Sequence, residues 1–453
     1  MSGDELADAL ALADGRRHPA AVPGPDPGPE PGRAPEDPGH PVKGTGAGHR
    51  RGHTDWPRAR AAAAAAGAAR RPPEPVTVPL ADALGHRLAA PLTALTDLPA
   101  FDTSAMDGWA VSGPGPWELA ADGGPGVLAG TDDPAPLPDG RAVPIATGAR
   151  VPPGTTAVLR SEYGEVVGRR LCLDRDSSRS PSHGTDIRPR GQECRTGDEL
   201  LPAGVPVTPA VLGLAAAAGR DGLPVVRRPR AEVLVLGDEL LTSGPPRGGR
   251  VRDALGPMVG PWLTALGAEV TAVRRLGDDA AALDAALAAT TADVVVTTGG
   301  TAAGPVDHVH PALRRLGAEL LVDGVAVRPG HPMLLARLPG GAHLVGLPGN
   351  PLAAVSGLFT LAEPLLRAAP GTAPPDPPAD TALPTAPLLA EVHGHPRDTR
   401  LVPVVQDGRG VRPLRFAGPA MLRGIATATA LAAVPPGGAA TGAGVPLLRL
   451  PWA

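Results

Sequence analysis

The chain has 453 residues and a formal net charge of −4, which gives length for two to four domains and no basic field to draw nucleic acid or an anionic membrane. Gly (60) and Pro (59) make up just over a quarter of it and aromatic residues only 2%, so any core must be Leu, Val and Ala. Two cysteines, Cys172 and Cys194, match no metal or redox spacing, no apolar run reaches the roughly 18 residues of a membrane span, and Met1-Ser2-Gly3-Asp4-Glu5 lacks an apolar signal core; a cytoplasmic protein in a reducing compartment is the expectation.

Residues 1–72 read as a disordered, low-complexity tail, because proline-glycine runs such as Pro23 to Pro29 bury no core. The alanine run between Arg58 and Arg71 could form a short helix, and a solvated tail is the expectation there. Order begins near Pro75. Leu80 to Ala89 reads as a helix. Phe101-Asp102-Thr103-Ser104-Ala105-Met106-Asp107-Gly108-Trp109-Ala110 gathers scarce Phe, Met and Trp around two carboxylates in a loop, where binding residues concentrate. Ser104 with Asp107 lacks a placed histidine, so a turn holding Asp107 for hydrogen bonding or metal contact is preferred to a nucleophile.

From about 117 to 208 short strands alternate with Gly and Pro turns, including Arg141 to Gly148 and Gly168 to Leu173. Arg188 to Glu193 reads as a solvated charged turn. Thr208 caps a helix to Gly219. From Arg230 onward strands and helices alternate. The strands are Glu232–Leu236, Glu269–Val273, Ala292–Val296, a β-like stretch Glu319–Val327, and His343–Leu347. The helices are Asp253–Leu266, Ala280–Ala289 capped by Asp278 or Asp279, one to Leu316, and one from Pro351 to about Arg367. That alternation predicts a parallel sheet with helices on both faces. In such sheets ligands bind beyond the carboxyl ends of the strands. Those ends carry Asp238 and Glu239, then Asp278, then Thr298-Gly299-Gly300 through Asp307, then Pro348-Gly349-Asn350-Pro351.

The glycine stretch has the chemistry of an anion site: glycines admit backbone N–H groups to an oxyanion, and a following helix start adds partial positive charge. The plainer alternative is an ordinary strand-to-helix turn. Acids at three strand ends beside such a turn suggest a Mg²⁺-assisted phosphate site. A metal site at His308 and His310 is the weaker reading of that pair. Strands near 400–406, 411–416 and 446–450 predict a small C-terminal β-domain.

Four of these segments together resemble the molybdopterin molybdenumtransferase family, which includes the C-terminal domain of gephyrin. They are Phe101 to Ala110, Thr297 to Asp307, Arg328-Pro329-Gly330-His331-Pro332 and Gly346 to Pro351, in that order over about 75–453. The resemblance implies a multidomain α/β and β fold. Its parts are an N-terminal region over 73–229, a central doubly wound α/β domain of the MogA type over 230–368, a linker over 369–384 and a β-domain over 385–453. It implies transfer of molybdenum from molybdate to adenylylated molybdopterin, with Mg²⁺ as cofactor and AMP released. Asp107, Glu239 and Asp307 fall on the family's acidic positions and would hold Mg²⁺ and activate or orient water. Thr147, Asp278, Thr298, Gly299, Gly300, Arg328, His331, Pro348, Gly349, Asn350 and Pro351 would meet the substrates. A homodimer is expected, a molybdopterin adenylyltransferase is a candidate partner, and nucleic acid and membrane are not.

This chain departs from the pattern in ways that bear on turnover. Leu236 stands where Thr is usual, Leu255 where Asn is, Ala302 where Ser is, Gln192-Glu193 where Glu-Asp is, and His310 where Lys is common. Arg328 and His331 replace two lysines, and a histidine is mostly neutral at pH 7. A rival expectation is therefore a degenerate relative that binds a pterin or nucleotide, or scaffolds a partner, without turnover.

Overall fold

The computed structural model describes residues 53–120, 126–174, 181–301, 308–372 and 383–452. The first helix, α1 (Trp56–Ala68), lies inside the segment expected to be a solvated tail, and it is not solvated. Trp56, Ala59, Ala63 and Gly67 recur at helical spacing and are buried. They join the largest core of the molecule. Trp56 Nε1 donates to Thr360 Oγ1 at 3.0 Å, and the Arg60 guanidinium reaches the Phe359 carbonyl and, at 3.4 Å, the Glu363 carboxylate. Pro57 at the first turn suits a helix start, where its missing N–H costs nothing.

Leu80 to Ala89 also differs from expectation. Only Leu80–Ala83 is helical; Gly85 turns the chain at φ 78°, and Arg87–Leu88 becomes a strand paired with Val225 and Val226. The region that follows is β-rich, with a six-stranded sheet containing β1 (Gly108–Val111), β2 (Arg141–Ile145) and β3 (Ala157–Arg160). β1 lies between β2 and β3, antiparallel to both. Helix α2 (Pro209–Ala217) is capped by Thr208 Oγ1, which accepts from the Val211 N–H.

The central domain follows. Its elements are β4 (Arg230–Leu236), α3 (Gly256–Ala265), β5 (Glu269–Leu276), α4 (Ala280–Ala289), β6 (Val294–Thr298), α5 (Val309–Leu316), β7 (Glu319–Asp323), β8 (Val325–Arg328), β9 (Leu334–Arg337) and β10 (His343–Leu347). Helices α6 (Pro351–Gly357) and α7 (Glu363–Ala368) close it, joined by a π-helical turn at Leu358–Ala362. The sheet order is β5-β4-β6-β10-β9-β7, and the first four strands are parallel. Side chains alternate between its faces, as the two-residue period requires. Val233, Val235, Val294, Val296, Val345 and Leu347 face α1, α3, α6 and α7. Leu234, Leu236, Val295 and Leu344 face α4 and α5. Asp279 caps α4 as expected, its Oδ1 accepting from the Ala281 N–H at 2.8 Å.

The C-terminal β-domain is present as expected and shares a sheet with a strand of the central domain. Its strands β11 (Thr399–Asp407), β12 (Ala430–Val434) and β13 (Gly444–Arg449) belong to a sheet that continues through β8 to Thr54–Asp55. β12 went unread because its alanines lack strand character, yet all five of its residues are buried. The expected linker is packed at its start: Thr372 is buried and its carbonyl accepts from Arg87 Nη1 at 2.9 Å. Residues 373–382 lie outside the described residues. Both cysteines are free thiols, and no described helix is long and apolar enough to cross a membrane.

Candidate active site

The carboxyl ends of the four parallel strands form one rim, because their registers align. Leu236 pairs with Leu276, Val235 with Thr298, and Thr298 with Leu347. The residues that follow are therefore neighbours: Gly237-Asp238-Glu239, Gly277-Asp278, Gly299-Gly300 and Pro348-Gly349-Asn350-Pro351. Two close approaches confirm the adjacency. A Cβ on Gly277 would stand 2.6 Å from Asp238 Oδ1, and one on Gly349 would stand 3.7 Å from Gly299 Cα.

Thr298 is buried at the end of β6, and the chain turns through Gly299 and Gly300 at φ 85° and 66°, a left-handed conformation costly for other residues. The Gly299 N–H donates to the Leu347 carbonyl at 2.8 Å, so it is not among the donors a phosphate would meet. Thr301 Oγ1 is buried without a hydrogen-bond partner among the described residues. Asp307 lies outside the described residues.

Asp238, Glu239 and Asp278 are exposed, and among the described residues none of them forms an ion pair. Elsewhere in the same domain several acids are neutralised, Glu232 by Arg274, Asp253 by Arg275, Asp284 by Arg315 and Asp293 by Arg70, whereas the exposed Glu269 and Asp279 form no ion pair among the described residues. Three uncompensated carboxylates on one rim suit a hard, oxygen-seeking cation such as Mg²⁺. Among the described residues no three carboxylates, imidazoles or thiols already converge as a metal cage.

Asp107 and Thr147 form a separate pair. Register opposes Gly108 to Ile145, and the Thr147 N–H donates to Asp107 Oδ1 at 2.7 Å. Gly108 is required after Asp107 because a Cβ there would run into the Leu159 carbonyl. The hydrophobic clusters beneath this pair contain no residue of the central domain. The charged turn nearby is anchored rather than merely solvated. Arg190 Nε donates to Asp97 at 2.6 Å, and Asp97 also accepts from the Thr196 N–H and hydroxyl. Those Thr196 bonds, then Arg190, hold the Asp97 carboxyl at about 2.

Arg328, His331, Pro348 and Asn350 line a cavity of about 710 Å³ that also reaches Arg400, Arg415 and Phe416 of the C-terminal domain. The register of β8 on β11 sets Arg328 directly beside Arg400. Sequence reading missed Arg400 and Arg415, since only that pairing across some seventy residues brings them here. Arg328 Nε donates to Asp398 at 2.8 Å, so its charge is partly spent. Burial raises the Asp398 carboxyl, but the hydrogen bond from Arg328 and the nearby cations outweigh it and the net shift is downward. Burial, then His53, then Arg328 push the His331 imidazole below its ordinary value, so it stands neutral near pH 7. The Pro348–Pro351 turn belongs to both the rim and this cavity and joins them.

The substituted positions have structural readings. Leu255 fills the main core and offers the rim no polar atom. Leu236 packs near Gly300, where a Cβ would meet it at 3.3 Å. His310 Nε2 lies at hydrogen-bond distance, 2.9 Å, from Asp323 Oδ1.

Comparison with known proteins gives three consecutive family matches. They are the MoeA N-terminal region (domain I and II) over 57–219, a probable molybdopterin binding domain over 232–368, and the MoeA C-terminal region (domain IV) over 385–450. Molybdopterin molybdenumtransferase 2 of Mycobacterium tuberculosis (strain ATCC 25618 / H37Rv) is 35% identical over 336 residues, 70% of this chain and 80% of that protein. Molybdopterin molybdenumtransferase of Staphylococcus aureus (strain N315) is 30% identical over 309 residues, 64% of this chain and 71% of that one. The crystal structure of a molybdopterin biosynthesis MoeA protein from Pyrococcus horikosii shares the fold, with a TM-score of 0.66 at 24% identity, over 88% of this chain and 99% of that one.

Proposed function

The chain belongs to the molybdopterin molybdenumtransferase family and is a transferase of molybdenum cofactor biosynthesis; from that premise we propose that it moves molybdenum from molybdate onto adenylylated molybdopterin, releasing AMP, at the carboxyl end of its parallel sheet. The observation that carries this reading is the pairing of three uncompensated carboxylates at the rim with an arginine-lined cavity across the Pro348–Pro351 turn. One end suits a cation and a phosphate, the other an oxyanion.

In this reading Gly300 and the end of β6 receive the phosphate. Glu239 and Asp278 are the rim carboxylates placed to hold Mg²⁺, with Asp107 and Asp307 the further acids that the family pattern contributes. Mg²⁺, when bound, would screen the phosphate charge and polarise the bond that breaks. Glu239 would orient the attacking water and accept its proton. Molybdate, as substrate, would sit against Arg328, Arg400 and Arg415, held by charge-assisted hydrogen bonds that are stronger than neutral ones. We also propose a homodimer: Asp107 and Thr147 rest on a core of their own, and a second copy offers a way to bring them to the rim. A molybdopterin adenylyltransferase would be the natural donor of the adenylylated substrate.

The test is AMP release from adenylylated molybdopterin with Mg²⁺, with and without molybdate, followed by the molybdenum content of the product. Molybdate-dependent release with molybdenum incorporated supports the reading. Tight binding of the substrate with no release would sink it and leave a binding protein, for which the neutral His331 and the paired Arg328 would then be the reason.

A further inference from the structure

One imidazole in the wall of the arginine cavity, and a second packed against it, have no part in the reaction just described. His331 lines the cavity, and its Nδ1 is buried with no hydrogen-bond partner among the described residues. The ring of His53 packs against it, tilted by 50° with 3.9 Å between centroids. Gly324, in a left-handed turn at φ 78°, makes room for that ring: a Cβ there would stand 2.8 Å from His53 Nδ1.

The charged and titratable groups facing His331 come from every packed element. They are His53 ahead of Thr54–Asp55, Arg328 at the end of β8, and Asp398 from the C-terminal domain. Arg400 and Arg415 stand across the cavity. Asp398 is the one acid among them, and its carboxylate is already engaged by Arg328 at 2.8 Å. Positive neighbours and burial thus keep His331 neutral in the anion-free protein. An anion in the cavity reverses the balance, because a negative charge beside the ring favours imidazolium.

We infer that His331 and His53 form a proton-accepting pair of the oxyanion site: a tetrahedral oxyanion enters with uptake of one proton, which makes His331 the cation that a lysine would supply permanently. The inference rests on the reading that this cavity takes the oxyanion. The proton comes from solvent and adds to an imidazole nitrogen; no other bond forms or breaks. His53 acts as a positioning residue, since its ring holds His331 in place and its charge sets the pH at which the proton is accepted.

The sign follows from linkage. The complex holds a proton that the free protein lacks, so oxyanion affinity rises as pH falls, by up to about tenfold per pH unit within the window. The window opens at the free His331 value, below 6.5, and closes at the higher value in the complex.

The experiment is isothermal titration calorimetry of molybdate, and separately of sulfate, into the full chain. It is run at several pH values between 5.5 and 8, in two buffers of different ionisation enthalpy. The expected result is a buffer-dependent enthalpy reporting proton uptake, with affinity falling as pH rises. His331→Lys should bind with no uptake and a flat profile. His331→Gln should bind at least about tenfold more weakly at pH 6, also flat. His53→Phe keeps a packed ring, removes its charge and should move the profile to higher pH. Binding by the unaltered chain with equal enthalpy in both buffers, or uptake retained in His331→Lys, would overturn the inference and leave the oxyanion site standing. If neither the unaltered chain nor His331→Lys binds either anion, the oxyanion reading fails and this inference fails with it.

Discussion

The two ends of the parallel sheet are built from the same residue types and put them to opposite uses. At the amino end one acid, Asp293, is fully engaged. It accepts from Arg70 of the segment after α1 and from the Arg230 N–H at 2.7 Å, while its own carbonyl takes the His343 N–H at 3.0 Å. That single residue ties together the starts of β4, β6 and β10. His343 beside it is buried, and burial first, then Arg70 and Arg337, push its imidazole down to about 4. At the carboxyl end Asp238, Glu239 and Asp278 have no such partners among the described residues. At Asp293 neutralised charge fastens strands; on the rim the three carboxylates stay exposed. The difference lies in the partners.

This contrast can be broken from either side. The largest expected effect is on the packed side. Trp56→Ala removes an indole that is 6% exposed in the main core and its bond to Thr360. It should cost about 3–5 kcal/mol of stability, read by denaturant unfolding, while turnover per folded molecule is kept. Next, Glu239→Gln should lower AMP release by about 10²-fold or more with little change in thermal midpoint, because the exposed Glu239 carboxylate forms no ion pair among the described residues. A large drop in midpoint would place Glu239 among the structural acids instead. Arg400→Ala should weaken molybdate by about 1.5–3 kcal/mol, read by calorimetry, and leave affinity for the nucleotide part of the substrate unchanged.

The smallest effect sharpens the amino-end account. His343 titrates near 4 when folded and near 6.5 when unfolded, so the unfolded chain binds more protons between those values. Stability from this group is therefore present above 6.5 and lost as pH falls towards 4, by about 2 kcal/mol. His343→Leu should remove that part of the acid sensitivity, seen as a smaller loss of stability between pH 7 and pH 4.5 than in the unaltered chain.

The same contrast explains what the sequence disclosed. The central strands are short apolar runs rich in Val and Leu, so β6 and β10 were readable from their composition. Helix α1 was hidden because its buried face and much of its solvent face are both alanine. Ala59, Ala63 and Gly67 have helical spacing, but nothing in their chemistry marks them off from their neighbours. The cavity was half visible: Arg328 and His331 stood in a recognisable segment, whereas Arg400 and Arg415 enter only through the β8–β11 register. The state of His331 was foreseeable as neutral, but its contact with His53 joins residues nearly three hundred positions apart and leaves no local trace.

The most direct measurement is single-turnover AMP release by Glu239→Gln beside the unaltered chain, with molybdate and Mg²⁺ saturating and both proteins verified to unfold at the same temperature. The expected result is molybdate-dependent release by the unaltered chain and a loss of about two orders of magnitude or more in the variant. Equal release by the two would contradict it and move the chemistry away from the carboxyl end of the sheet.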